Sequence, residues 1–176
     1  ESKMAFAITE PDAGSNSHEI ATVATREGDH YRLRGTKYYI SGADESESVL
    51  VVAKTGADSG TGRGTLSLFV VDMNTPGLTS QIIPVEIVSP DKQFTLFFED
   101  VRVPADRLIG REGEGLRQVF LGLNPERITG AAVCVGVGRH AVARGADYAR
   151  TRAVWGPPIG SYQAIQHKLA DGYVKL

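Results

Sequence analysis

An α+β fold is predicted by three features of the sequence. Short apolar or alternating segments recur at regular spacing up to about residue 103, turn residues separate them, and helical apolar spacing takes over from Leu116. The first part reads as an antiparallel β-barrel or sandwich-like domain, residues 1–107. The second, residues 108–176, reads as the start of a helical domain whose long helices belong to an incomplete bundle. Short strands without helices between them argue against a parallel α/β sheet.

The first apolar run, residues 4–8, reads as a buried strand that stops at Thr9, Glu10 and Pro11. Pro11 cannot continue a strand interior and biases Glu10 toward extended backbone. Asp12-Ala13-Gly14-Ser15-Asn16 then forms a compact turn. Gly14 is free there to take a positive φ, and backbone N–H groups with the Ser15 and Asn16 side chains can face an anion. Residues 20–26 and 31–40 alternate as a hairpin around Glu27-Gly28-Asp29-His30, and the second strand ends at the turn Ser41-Gly42-Ala43-Asp44. Residues 49–55 form an apolar strand suited to burial on both faces. Residues 66–73, 78–84 and 94–101 are further strands, set off by a Gly/Ser/Thr loop at 56–64 and the turn Asn74-Thr75-Pro76-Gly77.

Leu116, Val119, Phe120 and Leu123 begin the helical spacing. Asn124-Pro125 interrupts it, as a kink or as a restart with Asn124 as N-cap and Pro125 at the first helical position. The helix resumes to about Arg150. Gly130, Cys134, Gly138, Ala141 and Gly145 form a small-residue stripe that lets another helix approach, expected from segments beyond this chain. Gly156-Pro157-Pro158 breaks the chain, and residues 162–176 begin another helix.

Composition removes several classes of function. A net charge of −2 over 176 residues gives no electrostatic case for nucleic acid or an anionic membrane. No apolar run approaches the ~20 residues that span a bilayer, and Glu1-Ser2-Lys3 does not begin a signal peptide. The single cysteine, Cys134, excludes an internal disulfide framework and fits a reducing compartment, the cytoplasm or a mitochondrial matrix. His18, His30, His140 and His167 lack ligand spacing, so no metal site is expected. A start without methionine and an end inside a helical pattern read as a piece of a longer protein. Val135-Gly136-Val137-Gly138-Arg139-His140-Ala141 imitates a dinucleotide fingerprint, but helical spacing runs through it and no strand precedes it.

Ile8-Thr9-Glu10-Pro11-Asp12-Ala13-Gly14-Ser15-Asn16 resembles the flavin-binding signature of the acyl-CoA dehydrogenases, T-E-P-x-A-G-S-D. Four further motifs follow in family order and at family spacing, covering nearly the whole chain. Tyr38-Tyr39-Ile40-Ser41 resembles the W-I-T/S element, with Tyr39 where the family usually has tryptophan. Val103-Pro104-Ala105-Asp106-Arg107-Leu108-Ile109-Gly110 resembles the V-P-x-x-x-x-L-G linker, and Gly113-Glu114-Gly115 matches the E-G-x-G after it. Arg152-Ala153-Val154-Trp155-Gly156 with Ile159-Gly160-Ser161-Tyr162-Gln163 resembles R-x-x-F-G-x-x-I-x-x-x-Q, Trp155 replacing phenylalanine.

The resemblance implies FAD as cofactor, held by Phe6, Ile8, Thr9, Gly14, Ser15, Tyr39, Ile40, Ser41, Arg152, Trp155 and Gln163. An aromatic at Tyr39 would pack on the isoalloxazine and the Ser41 hydroxyl would bond its N5/O4 edge. Arg152, whose planar guanidinium suits paired phosphate oxygens, would meet the pyrophosphate across a subunit interface. Glu126 falls on one of the family's two positions for the catalytic base, the other lying beyond residue 176. Ser15, Arg117, Asn124 and Arg127 are the candidates for substrate contact. Implied partners are an acyl-CoA substrate, an electron-transfer partner with electron-transferring flavoprotein among the candidates, and further copies of the chain in a homodimer or homotetramer. The residues alone also admit plainer readings: a half-buried strand end at Tyr38-Tyr39, a solvated Glu126-Arg127 pair, and Arg152 opposing a helix dipole. On the same fold, an acyl-CoA oxidase, a flavin monooxygenase or a non-catalytic relative are the competing functions.

Overall fold

The computed structural model describes residues 2–86 and 89–176; Glu1, Ile87 and Val88, within the expected β-domain, lie outside the described residues. The chain divides into two compact units, Glu1–Val119 and Phe120–Leu176. The first holds one eight-stranded sheet: β1 (Met4–Ala7), β2 (Val23–Glu27), β3 (His30–Ser41), β4 (Ser48–Ala57), β5 (Gly64–Asp72), β6 (Leu78–Ile83), β7 (Gln93–Pro104) and β8 (Leu108–Ile109). Their order is β6-β7-β3-β2-β4-β5-β8, with β1 on β4 off this path.

Most pairings are antiparallel, as the hairpin spacing predicts. Two are parallel: β1 runs along β4 from Met4↔Ser48 to Ala7↔Val51, and β2 touches β4 at Val23↔Lys54. The sheet is therefore mixed, and it does not close into a barrel; the sandwich-like α+β reading stands. β4 is flanked by β5 on one side and by β1 and β2 on the other, which explains why Val51, Val52 and Ala53 are wholly buried. Inward-facing Tyr31, Leu33, Ile40, Val49, Phe69, Leu96 and Phe98 build the core. Each fully buried side chain of this size contributes about 1.5–3 kcal/mol. In the β2–β3 hairpin, Gly28 takes φ 65° at the tight turn that pairs Glu27 with His30.

Helix α1 (Gly115–Thr151) runs without a break through Asn124-Pro125. This corrects the expected restart: Asn124 is no N-cap. Pro125 removes one backbone donor, a single lost bond that the helical turns on both sides outweigh. The Thr129 hydroxyl donates to the Pro125 carbonyl at 2.9 Å. After Gly156, at φ 112°, the chain reaches α2 (Gln163–Val174). The small-residue stripe is used in part. A side chain at Gly145 would approach Leu169, one at Gly172 would approach Val142, and one at Gly138 would run into Leu176. Around Gly130 there is open space, and Cys134 is exposed. Among the described residues no helix is long and apolar enough to cross a membrane.

Candidate functional site

The end of β1 meets the end of β3. The Tyr38 N–H donates to the Thr9 carbonyl at 2.8 Å, so the first motif lies beside the second. Beyond Thr9 the chain folds back at once: Glu10 N–H donates to Ala13 O at 3.0 Å and Ala13 N–H to Glu10 O at 3.2 Å, closing a turn around Pro11-Asp12. Gly14 does not take the positive φ expected of it, and a side chain there would meet nothing within 4 Å. Asn16 is also committed locally, its carbonyl oxygen accepting the His18 N–H at 3.3 Å. Among the described residues, the Thr9 and Ser15 hydroxyls have no hydrogen-bond partner in the protein. Phe6 and Ile8 are half-buried and Ile40 is buried.

The register of β3 on β7 slips between Lys37 and Ile40, and within that bulge Tyr39 adopts φ 56°. A non-glycine residue in the left-handed region costs about 1–2 kcal/mol. The bulge turns Tyr39 outward, 53% exposed, with its ring edge-on to Tyr38 at 4.4 Å. Ser41 then pairs with Gln93 of β7. Its hydroxyl oxygen lies 2.9 Å from Gln93 Nε2 and 3.2 Å from Oε1. In the shorter contact the amide donates, and in the longer one the Ser41 hydroxyl donates back to the amide oxygen, so a ligand acceptor on this edge would compete with Gln93 Oε1 for that proton.

Beneath this edge lies a buried ion pair outside the predicted site residues. Lys37 Nζ donates to Glu10 Oε1 at 2.8 Å and to the Ile8 carbonyl at 3.1 Å. Glu10 also accepts the Ala21 N–H at 2.6 Å and the Thr22 N–H at 3.0 Å. Burial alone would raise the Glu10 carboxyl, but the Lys37 hydrogen bond and charge, with the local N–H donors, outweigh it and hold the group below its ordinary range. Burial pushes the Lys37 ammonium down to about 8, partly offset by Glu10. One signal of this pair is legible in the sequence: Tyr31, Leu33 and Lys37 fall on the same inward-facing alternation, and an inward lysine requires a buried acid. Gln93 carries no such signal.

A polar cavity of about 380 Å³ borders the first motif, lined by Asn16, His18, Glu19, Lys54, Thr61 and Arg63. His18 Nδ1 is itself buried and has no hydrogen-bond partner among the described residues. The remaining candidates lie on or next to the helices. Arg117, Asn124 and Glu126 are exposed, and the Arg127 guanidinium lies over the Phe120 ring at 4.9 Å. Arg127 is therefore not paired with Glu126. Arg152 and Gln163 flank a loop closed by the Ile159 N–H on the Arg152 carbonyl at 2.7 Å. At its tip Trp155 is 81% exposed, with Tyr162 edge-on at 6.4 Å. The structure thus brings Thr9, Tyr39 and Ser41 to one edge and Arg152, Trp155 and Gln163 to one loop.

The first edge fits a flavin chemically: an outward aromatic, a hydroxyl steadied by a buried amide, and a second hydroxyl without a partner. Residues 5–101 match the family model described as acyl-CoA dehydrogenase, middle domain, and residues 113–176 the one described as acyl-CoA dehydrogenase, C-terminal domain. "Acyl-CoA dehydrogenase FadE12" of Mycobacterium tuberculosis (strain ATCC 25618 / H37Rv) is 50% identical over 98% of this chain and 44% of its own length. Isobutyryl-CoA dehydrogenase of Dictyostelium discoideum is 37% identical over 97% of this chain and 41% of its own. Among solved structures, butyryl-CoA dehydrogenase from Megasphaera elsdenii superposes with a TM-score of 0.78, at 32% identity, over 98% of this chain and 45% of that one. The chain belongs to the acyl-CoA dehydrogenase family, a family of FAD-dependent oxidoreductases. It spans less than half the length of these relatives.

Proposed function

We propose that the full-length protein is an FAD-dependent dehydrogenase that introduces an α,β double bond into an acyl-CoA thioester. The observation that carries this reading is the junction of Thr9 with β3, which sets an unpartnered hydroxyl beside outward Tyr39 and amide-steadied Ser41. In this reading residues 1–107 hold cofactor and acyl-CoA, and residues 108–176 open the helical domain. Phe6, Ile8 and Ile40 form the apolar support of the edge, and the Ser41 hydroxyl would turn its proton from Gln93 Oε1 to the ring system while still accepting from Gln93 Nε2. FAD, when bound, supplies the acceptor for the hydride that leaves the β-carbon. Glu126 takes the α-proton onto its carboxylate, and the electron pair of that C–H bond becomes the new double bond. Ser15, Arg117, Asn124 and Arg127 orient the substrate. Lys54 and Arg63, in the polar cavity beside Ser15 and Asn16, supply the charge that CoA phosphates require. Arg152, Trp155 and Gln163 are exposed in this chain and serve the cofactor of a neighbouring copy in a homo-oligomer; electrons pass on to an electron-transferring flavoprotein.

The full-length protein is expected to purify yellow, with FAD. Glu126→Gln keeps the shape of the side chain and removes its basicity, so FAD content persists. Bleaching of the flavin by acyl-CoA, followed by stopped flow, slows by about 10²–10⁴-fold, the usual worth of a general base. Bleaching at the wild-type rate assigns the base to a residue outside this chain.

A further inference from the structure

Neither Glu10 nor Lys37 can touch a ligand, since their side chains are 5% and 0% exposed. Neither is needed simply to fill space, because apolar residues of similar volume commonly stabilise a core as well as a buried ion pair. Directed bonds to backbone are what an apolar pair cannot supply, and here they join three segments. Glu10 holds the Ala21 and Thr22 N–H groups, Lys37 holds the Ile8 carbonyl, and the pair joins the end of β1 to β3. The next residues on either strand are Thr9 and Tyr38, linked backbone to backbone, and after Tyr38 comes the left-handed Tyr39. Such a backbone persists only where its surroundings over-determine it. Here the bulge is pinned on one side by buried Lys37 and on the other by buried Ile40 and the Ser41–Gln93 contact.

Resting on the function proposed above, we infer that Glu10 and Lys37 are positioning residues: their buried pair fixes the bulge and the Thr9 strand end relative to each other, and so sets the geometry of the flavin-facing edge. The test uses the full-length protein and its apoprotein. In Lys37→Met and Glu10→Gln the apoprotein keeps its circular dichroism, the FAD dissociation constant rises about tenfold or more, and the visible bands of residual bound flavin move toward those of free FAD. Val103→Ala, a core truncation on β7 opposite Tyr31, lowers the melting temperature without touching this edge and leaves affinity and spectrum unchanged. If Lys37→Met fails to fold, Glu10→Gln, which keeps the size of the side chain, gives the same readout. Wild-type affinity and spectrum in a folded Glu10→Gln variant overturn the inference, as does equal weakening in Val103→Ala. A wild-type full-length protein that binds no FAD overturns the functional reading as well.

Discussion

Glu10 and Lys37 are both desolvated, and the pH dependence of the fold follows from how each responds. Glu10 has a folded pKa below its ordinary value of 4.5, so the unfolded chain binds more protons as pH falls through that window. Its contribution is complete above the ordinary value and is lost as pH drops through the folded one. Lys37, ordinarily 10.5 and held at about 8, has the unfolded chain binding more protons between those values, so its own contribution rises with pH there. Removing the Glu10 charge should cost about 1–3 kcal/mol near neutrality. Between about pH 6 and pH 3, thermal melting of Glu10→Gln should fall less steeply than wild type. Glu27, held at about 2 chiefly by its Arg32 hydrogen bond, titrates in both proteins, so the difference between the two curves isolates Glu10. Parallel acid limbs would show that Glu10 does not carry this linkage. Gly35 supports the same cluster: at φ 150°, an added Cβ would sit 2.7 Å from Thr22 Cα. Gly35→Ala should push the Thr22 N–H away from Glu10 and destabilise the β unit by about 1–3 kcal/mol, read from denaturant midpoints.

At the scale of elements, strands and helices were legible because their periodicities are local. The alternation of residues 31–40 and the helical spacing from Leu116 each need only a few neighbouring residues to be seen. The Tyr39 bulge was hidden because it depends on how β3 registers against β7, a strand more than fifty residues away. Gln93 was hidden for the same reason, since only that register sets it against Ser41. Pro125 misled in the opposite direction: a local breaker was overruled by the length of helix on either side. The same balance separates the glycines of α1. Gly130 faces open space, so in the 176-residue chain Gly130→Ala should raise helix stability by about 0.5–1 kcal/mol. Gly145 lies against Leu169, 3.3 Å from where a Cβ would stand, so Gly145→Leu should part α1 from α2 and lower far-UV ellipticity. Equal responses from the two variants would mean that the stripe makes no helix contact in solution.

Across the molecule, burial is distributed unevenly between the two units. Every residue of the hydrophobic core cluster lies in the β unit, whereas from Phe120 onward Ala149 alone is buried among the described residues. Leu121, Ile128, Val133 and Val137 stand exposed along α1. That helix also contains Gly122, Gly130, Gly136, Gly138 and Gly145, each costing about 1 kcal/mol relative to alanine. Helices in water draw most of their stability from packing an apolar face, and α1 and α2 pack little of theirs. Amide hydrogen exchange of the 176-residue chain should therefore divide at the boundary between the units. Amides of β3, β4, β5 and β7 should exchange only through global opening of the β unit, because their hydrogen bonds lie in or beside a closed core. Amides between residues 120 and 174 should exchange through local helix fraying, faster than those strands by several orders of magnitude, on the order of the difference between local and global opening. Denaturant should narrow the contrast: strand exchange accelerates with the full surface dependence of unfolding, while helix exchange barely responds. Equal protection in both units would mean that α1 and α2 are buried in solution by self-association of the chain, which sedimentation at the exchange concentration would reveal.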